Sequence, residues 1–365
     1  MNREEYAFLK DELVKWRRPS IDTLIHYVTS LCNASCDHCY FLDRLNQKND
    51  LKPDETLQII KRLGPLKAVL LAGGEPFLCK HLTEVLTAYV RECGVQFAQI
   101  PTMAFHSERI QTALDAVLSA CPALNLTVNV SLDGFEEFHD GNRHVRGLFK
   151  KVLANLRLML DMKRRYPKLR VCVVSVMMPQ NFADLRRLAE FVRDEVDPDL
   201  HILEVMRAQE FTVDRPRWRD DVLALLAFWK DLTRYYYGKD QPSSQNLYAS
   251  RVLKSAIVKF AVNNLEIAFA NFLDDAPWPA ECVAGRRIAV LYPEGDLAVC
   301  ELRKRVVNIR DYDLDVHKAM TSPQFKDEVA RVPGDKCYCT HGCFIPPSVR
   351  YSPGALVRMA LGGRA

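Results

Sequence analysis

Six short apolar segments alternate with helical segments between residues 23 and 210, and this alternation is the strongest constraint on the fold. The apolar segments are residues 23–29, 67–72, 97–101, 126–132, 170–176 and 200–206. Strands that alternate with helices predict parallel β/α units, and continuous apolar runs are typical of strands covered on both faces. We therefore expect an α/β fold whose functional groups lie at the carboxyl ends of the strands.

The clearest intervening helix is predicted over residues 147–165, with Phe149, Leu153, Leu156 and Leu160 on one face. Over the whole chain the sequence predicts five regions, one of which is this α/β segment. They are an N-terminal helix (residues 1–22), the β/α region (23–210), a helical linker or cap (211–278), a small cysteine-containing domain (279–346) and a basic tail (347–365). In the last domain, residues 287–292 and 297–300 flank a turn at Gly295, which predicts a β-hairpin.

Aromatic side chains are frequent in the helical region, where two helices are predicted at residues 214–238 and 247–273. The aromatic residues are Trp218, Phe228, Trp229, Tyr235, Tyr236 and Tyr237. They either form the core of the helical pair or cap the β/α region and contribute to a substrate pocket.

Composition excludes several classes of protein. The chain has 365 residues, 50 basic against 46 acidic side chains and a net charge of +4, so a strongly basic nucleic-acid binder is excluded. No uninterrupted apolar run reaches the length of a membrane span, so no membrane partner is expected. The 12 cysteines are too sparse for a secreted disulfide scaffold, and the charged start lacks a signal peptide, so a cytoplasmic location is expected.

Cys32, Cys36 and Cys39 follow the first apolar segment within eight residues. Three thiolates on one loop can converge on one metal centre. A structural zinc site uses four ligands and closes, whereas an iron–sulfur cluster held by three cysteines keeps one iron open. A zinc site completed by His38 or by a distant ligand, and three unconnected buried thiols, are the alternatives at this point.

The spacing Cys-x3-Cys-x2-Cys after the first strand resembles the radical S-adenosylmethionine (SAM) superfamily, and the resemblance covers roughly residues 20–210. It implies a partial (β/α)6 TIM-like barrel and a 4Fe–4S cluster on Cys32, Cys36 and Cys39 whose fourth iron binds SAM. In that family one electron cleaves SAM to a 5′-deoxyadenosyl radical, which abstracts hydrogen from a substrate. His38 stands where the family favours a ring near the adenine.

Two further motifs carry this resemblance. Gly73-Gly74-Glu75-Pro76 follows the second strand and resembles the motif that binds the SAM amino group. Glycines allow close backbone approach, and Glu75 can accept hydrogen bonds from an ammonium group. Ser131 ends the fourth strand, and with Arg143 it resembles residues that contact the SAM ribose or carboxylate. A solvated surface arginine is the alternative for Arg143.

One departure from the family pattern lies after the third strand. The family commonly has Thr-Asn-Gly there, whereas this chain has Thr102-Met103-Ala104. The sequence therefore does not predict a contact of this turn with SAM or substrate. Asn181 and the residues from Leu203 to Met206 are looser candidates for the SAM site.

Five more cysteines lie near the C-terminus, at Cys282, Cys300, Cys337, Cys339 and Cys343. The spacings Cys-x12-Gly-x4-Cys and Cys339-x3-Cys343 resemble the auxiliary-cluster domains called SPASM and, in shorter form, Twitch. The resemblance implies one auxiliary 4Fe–4S cluster held by Cys282, Cys300, Cys343 and either Cys339 or Cys337, with Cys339 preferred. A structural zinc ribbon is the alternative.

The remaining cysteines, Cys79, Cys93, Cys121 and Cys172, are scattered and are expected to be small buried hydrophobes. Cys172 lies on the fifth strand and is a weak candidate for a hydrogen-atom donor.

The resemblance implies reductive SAM cleavage with help from a reductase such as flavodoxin or ferredoxin. We expect a small metabolite, a sugar or natural-product intermediate, that is oxidised or rearranged with an auxiliary cluster. Since only residues 1–22 precede the first strand, no leader-binding domain is expected to be fused, which disfavours a ribosomal peptide. A peptide maturase remains the alternative, and a non-catalytic zinc or iron–sulfur protein is a remote one.

Overall fold

The computed structural model describes residues 21–205, 215–239 and 251–361. The predicted N-terminal helix lies outside the described residues. Six strands form the parallel part of the sheet: β1 (Thr23–Tyr27), β2 (Ala68–Ala72), β3 (Phe97–Thr102), β4 (Asn125–Ser131), β5 (Leu169–Met177) and β6 (Leu200–Val205). Each pairs in parallel with the next along the chain. The predicted partial (β/α)6 barrel is therefore confirmed.

Six helices connect these strands: α1 (Pro53–Arg62), α2 (Leu82–Cys93), α3 (Ser107–Ala120), α4 (Glu136–Arg143), α5 (Leu148–Met162) and α6 (Leu185–Phe191). The predicted helix over residues 147–165 corresponds to α5. Its start is fixed by Asp140, whose carboxylate accepts the backbone N–H groups of Gly147 and Phe149 at 2.5 and 2.8 Å. These side-chain acceptors satisfy donors that have no partner within the helix.

Two long helices follow the barrel, α7 (Arg215–Gly238) and α8 (Arg251–Asp274). Trp229 of α7 is buried and packs edge-on against His201 of β6, with ring centroids 5.1 Å apart. Its indole N–H donates to the His201 carbonyl at 3.4 Å. The helical pair therefore packs directly on the last strand of the barrel.

One helix of the described residues is long and apolar enough to be compared with a membrane span, although charged residues interrupt it. Among the described residues, Lys254–Asp274 is long and apolar enough for a span by length and composition, with a mean hydropathy of 1.3. This helix packs on α7, and Lys230 of α7 forms an ion pair with Glu266. Its apolar character has a structural explanation in this packing, because core helices of globular proteins meet the same criterion.

The C-terminal strands are β7 (Ile288–Leu291), β8 (Asp296–Ala298) and β9 (Val307–Asn308). β7 and β8 form the predicted antiparallel hairpin, and Gly295 in its turn has a φ of 92°. β7 also pairs in parallel with β1, so the sheet runs without a break from the barrel into the hairpin. The C-terminal part is thus an extension of the barrel sheet.

The described residues after β9 contain four α-helices: α9 (Val316–Thr321), α10 (Pro323–Gly334), α11 (Ile345–Arg350) and α12 (Pro353–Ala360). The last two lie almost entirely within the predicted basic tail. α11 packs on α8, and Ser348 of α11 accepts the backbone N–H of Val283 at 3.2 Å. These contacts attach the described part of the tail to the cysteine-containing region.

Candidate functional site

Cys32, Cys36 and Cys39 lie on the loop that leaves β1. The loop is fixed from one side by Asn46, whose side-chain oxygen accepts the Cys32 N–H at 3.0 Å. From the other side, the carbonyl of Asn142 at the end of α4 accepts the Asp37 N–H at 3.0 Å. The three thiols therefore sit on a backbone that is anchored independently of any metal.

A cavity of about 300 Å³ opens at the carboxyl ends of the parallel strands. Its lining includes the nine main residues that the sequence predicted around SAM, and of the looser candidates it includes Glu204 and Val205 but neither Asn181 nor Leu203, while Met206 lies outside the described residues. The nine are Cys32, Cys36, His38, Cys39, Gly73, Gly74, Glu75, Ser131 and Arg143. The structure thus brings these residues together, while their individual roles stay predictions. Sequence reasoning missed other residues of this lining, including Asp133 and His341.

Gly73 and Gly74 lie directly against the cysteine loop. The Gly74 N–H donates to the Thr29 carbonyl at 2.9 Å, and an added Cβ at Gly74 would lie 2.2 Å from the Leu31 oxygen. No side chain fits at that separation. The sequence attributed these glycines to close approach of a ligand, and the structure adds that they allow close approach of the loop that carries the cysteines.

Glu75 is buried, and its carboxylate accepts three hydrogen bonds. The donors are the Thr102 hydroxyl at 2.8 Å, the Met103 N–H at 2.9 Å and the Phe77 N–H at 3.2 Å. Burial raises the pKa of Glu75, and these donors oppose the shift. Two of the three donors come from the turn that departs from the family pattern, so this turn orients Glu75.

Ala104 in the same turn has a φ of 54°, in the left-handed region that favours glycine. This is the position where the family commonly has glycine. The backbone conformation that glycine would adopt is therefore kept despite the substitution.

Arg143 is buried and forms an ion pair with Asp133, which excludes a solvated surface arginine. Its Nε and Nη2 donate to Asp133 Oδ2 at 3.0 and 2.6 Å, and its Nη1 approaches Cys36 Sγ at 3.7 Å. Burial alone would raise the pKa of Asp133, but the Arg143 guanidinium lowers it to about 2. Burial raises the pKa of the Cys36 thiol, and Arg143 opposes this shift.

These contacts show that Arg143 places a fixed positive charge beside one thiol of the loop. Since a thiolate is the form that binds metal, the charge favours the ligating state of Cys36. Three thiols on one anchored loop, with a cation beside them and a buried carboxylate opposite, fit a cluster with an open coordination position. His38 completes this side, where Asn142 hydrogen-bonds its Nδ1 at 3.1 Å.

Asn181, a looser candidate for the SAM site, forms hydrogen bonds with the backbone through its side chain. Its amide donates to the carbonyls of Asp133 and Val176, both at 2.8 Å. It thereby joins the ends of β4 and β5 beneath the cavity.

The C-terminal cysteines form a second group of thiols. Cys282 and Cys300 are buried, and burial raises the pKa of both thiols, that of Cys282 to about 12. The thiols of Cys337 and Cys339 contribute to the shift at Cys282, and those of Cys339 and Cys282 contribute at Cys300. The charges of neighbouring thiols thus act on both Cys282 and Cys300, while a metal centre formed by these cysteines stays a prediction.

Cys343 lies at a different place. It lines the cavity described above, and its sulfur lies within 4.8 Å of ligand atoms of Glu301 and His341. The predicted ligand set that includes Cys343 stays a prediction.

Three of the four scattered cysteines are buried, namely Cys93, Cys121 and Cys172. The fourth, Cys79, is partly buried. Cys172 is 2 % exposed and does not line the cavity as far as the described residues define it. Its role as a hydrogen-atom donor stays a prediction.

Comparison with known proteins agrees with this geometry. Residues 27–192 match the family model described as the Radical SAM superfamily. Fe-coproporphyrin III synthase of Methanosarcina barkeri is 27% identical over 195 residues, which are 52% of this chain and 45% of that protein. GTP 3′,8-cyclase of Psychromonas ingrahamii is 23% identical over 188 residues, 50% of this chain and 52% of that protein. The chain thus spans about half the length of these curated relatives.

Solved structures share the fold over most of the chain. SuiB of Streptococcus suis bound to S-adenosylmethionine superposes with a TM-score of 0.53 and 16% identity, covering 89% of this chain and 68% of SuiB. The anSMEcpe protein with bound AdoMet gives a TM-score of 0.57 and 14% identity, covering 84% and 82%. The family model thus assigns residues 27–192, which carry the cysteine loop and most of the cavity lining, to the radical SAM superfamily, and the solved structures show that the fold is shared.

Proposed function

We propose that this chain cleaves SAM reductively at the Cys32–Cys36–Cys39 site and abstracts hydrogen from a small polar metabolite, which is then oxidised or rearranged. One observation carries the proposal. A single cavity combines three thiols of one loop, a buried carboxylate at Glu75 and a buried cation at Arg143. An electron carrier or a zinc scaffold would need neither of the two charged groups.

The residues of the chain supply binding and orientation, and the cofactor supplies the difficult step. A bound 4Fe–4S cluster would deliver one electron to SAM and so release a 5′-deoxyadenosyl radical. Glu75 is oriented by Thr102 and Met103 to accept a hydrogen bond from the SAM ammonium group. Arg143 supplies positive charge near the thiolates and toward the SAM carboxylate.

The proposal of a small polar substrate is supported by two further side chains of the cavity lining. These are Glu204 and His341, and the Glu204 carboxylate lies against the backbone of Gly342. Carboxylate and imidazole groups suit hydroxyl or amino groups of a substrate. An auxiliary cluster on the C-terminal cysteines would accept the second electron of an oxidation.

A peptide is the second candidate for the substrate. It is favoured by the likeness in fold to SuiB, which has also been solved bound to its precursor peptide SuiA, and to anSMEcpe, solved with bound peptides. A flavodoxin or ferredoxin is proposed as the electron donor in either case.

Anaerobic reconstitution followed by iron counting and a SAM cleavage assay with dithionite tests the proposal. Two 4Fe–4S clusters correspond to about eight iron atoms per chain, together with formation of 5′-deoxyadenosine. Stoichiometric zinc without cleavage would refute radical chemistry for this chain. Transfer of deuterium from labelled sugars, aminocyclitols or peptides into 5′-deoxyadenosine would then separate the two substrate classes.

A further inference from the structure

A buried carboxylate lies where the two cysteine-bearing regions of the chain meet. Glu301 directly follows Cys300, and its side chain is 5 % exposed. It forms hydrogen bonds with three side chains that are distant in the sequence. Tyr27 and Tyr40 come from the barrel, 274 and 261 positions away, and His341 comes from the C-terminal region, 40 positions away. One carboxylate therefore connects the barrel to the C-terminal region.

The barrel side of this group consists of two tyrosine hydroxyls. Both donate to Glu301 Oε1, that of Tyr40 at 2.7 Å, and the two hydroxyl oxygens lie 2.5 Å apart. Hydrogen bonds to a carboxylate are roughly twice as strong as those between neutral groups. Tyr40 directly follows Cys39 and lines the cavity. Glu301 thus fixes a side chain of the cavity wall next to a predicted cluster ligand.

The C-terminal side of the group is the imidazole of His341. Its Nδ1 accepts the backbone N–H of Cys343 at 3.3 Å, so the ring carries its proton on Nε2, which donates to Glu301 Oε2. His341 is buried and lines the cavity. Because both ring nitrogens are hydrogen-bonded, the imidazole cannot turn without breaking one of these bonds.

Aromatic packing holds the backbone around Glu301. The Tyr27 ring packs against those of Phe41 and Tyr292, with centroids 5.0 and 4.9 Å away. Phe41 also stacks on Tyr292 with centroids 6.1 Å apart. The Tyr292 hydroxyl donates to the Glu301 carbonyl at 3.4 Å. The segment after the cysteine loop therefore packs on the C-terminal region around this carboxylate.

We propose that Glu301 is a positioning residue of the SAM site, which holds Tyr40 and His341 in place as part of the cavity wall. Among the described residues, the cavity lining includes these two side chains but not Glu301, so Glu301 acts through them. By this route the C-terminal region contributes to SAM binding. The inference rests on the proposed function, because it takes the cavity to bind SAM.

Two variants test this role on anaerobically reconstituted protein. Glu301→Gln keeps the shape but turns one acceptor oxygen into an NH2 donor, which opposes either His341 Nε2–H or the tyrosine hydroxyls. The Kd for SAM, measured by equilibrium dialysis, should rise at least about tenfold. Tyr40→Phe keeps the ring and removes only the hydroxyl, while Tyr27 still donates to Glu301, so a rise of about two- to tenfold is expected.

Two further readouts separate positioning from a loss of structure. Iron per chain should stay at the wild-type value in both variants. The electron paramagnetic resonance signal of the dithionite-reduced, SAM-bound protein should change in both, because Tyr40 lies next to the first cysteine loop. If Glu301→Gln does not fold or loses iron, Tyr40→Phe alone decides.

Tyr89→Phe is the matched control. The Tyr89 hydroxyl forms a buried hydrogen bond with His26 Nδ1 at 2.8 Å, and His26 precedes Tyr27 on β1 and so points to the other face of the strand. This variant should keep the wild-type Kd for SAM. A wild-type Kd and signal in Tyr40→Phe at full iron content, or an equal rise in Tyr89→Phe, would overturn the positioning role. A wild-type chain that holds zinc or does not bind SAM would instead refute the proposed function.

Discussion

The two cysteine sites of this chain share one device and differ in how the chain builds them. In each, a buried carboxylate holds an arginine: Asp133 holds Arg143, whose Nη1 lies 3.7 Å from Cys36 Sγ, and Glu328 holds Arg303, whose pKa the Cys337 thiol helps to raise. The first site takes its thiols from one loop that borders a cavity. The second gathers thiols from three separate segments, two of them fully buried at Cys282 and Cys300.

This difference indicates which of the two sites has an open coordination position. A loop that supplies only three thiols leaves one coordination position toward the cavity, where Glu75 and Arg143 also face. Four thiols gathered from distant segments, as proposed for the second site, would leave no such position. We therefore expect chemistry at the first site and electron transfer or structural support at the second.

The largest effect is expected for Cys36→Ala, which removes one thiol of the first site. SAM cleavage should fall by at least about 1,000-fold because a two-thiol loop no longer holds the cluster, while about half of the iron remains at the second site. Product formation and iron per chain measure the two effects separately. Cys172→Ala, which changes a buried thiol away from the cavity, is the matched control and should retain both. A Cys36→Ala protein that cleaves SAM would remove the distinction between the sites.

Asp133→Asn is expected to have the next largest effect, this time on stability. It leaves Arg143 buried without its counter-charge, which costs about 3–5 kcal/mol of unfolding free energy. Glu328→Gln at the second site should cost about 1–2 kcal/mol, since Arg303 keeps Asp335 as a partner. Urea denaturation of the metal-free proteins measures both values. Equal losses would show that the two arginines are held alike.

The pH dependence of stability gives an independent measure of the first ion pair. The pKa of Asp133 is lowered from 3.8 to about 2 in the folded protein, so its contribution of about 2 kcal/mol is fully present above pH 4. It is lost as the pH falls from about 4 to 2, because the unfolded chain then binds the proton first. Wild-type protein should therefore lose this increment in acid denaturation series, and Asp133→Asn should not.

Glu75→Gln tests the carboxylate of the first site. The amide keeps the shape but removes the charge and places an NH2 group against one of the three donors. We expect the Kd for SAM to rise about 10- to 100-fold, since charge-assisted hydrogen bonds contribute about 1.5–3 kcal/mol. Equilibrium dialysis with radiolabelled SAM on the reconstituted protein measures it, with the exposed Glu84→Gln as control. Iron content should be unchanged, and unaltered SAM binding would exclude Glu75 from the site.

The comparison also shows how far the sequence predicts such a protein. All six strands of the barrel were predicted within two residues of their observed ends, because apolar runs in a covered sheet are local signals. The sequence predicts helix α5 with the correct helical period, but the face that is buried in the structure is rotated relative to the predicted apolar face. Leu156 is fully buried as expected, while Phe149, Leu153 and Leu160 are partly buried, and Val152 and Met159 face the core.

For the sites too, the sequence predicts what is local in the chain and misses what depends on distant contacts. A motif on one loop and the Gly-Gly-Glu turn identify the first site because their residues are close in sequence. The contacts of Glu301 with Tyr27 and His341 join positions that are far apart in the chain, so no local pattern reveals them. The placement of Cys343 in the cavity lining depends on contacts of this kind, so the spacing of its motif does not reveal it.

The smallest effect is expected at Ala104, the buried residue with a φ of 54° in the turn that orients Glu75. Ala104→Gly relieves a left-handed strain of about 1 kcal/mol but removes a buried methyl group that contributes about 0.8 kcal/mol. The unfolding free energy should therefore change by less than about 0.5 kcal/mol, measured by urea denaturation. Gly94→Ala, at a φ of 66° with open space around the added methyl, isolates the strain and should cost about 1 kcal/mol. A large loss in Ala104→Gly would mean that packing of the methyl, and not the backbone conformation, holds this turn beneath the first site.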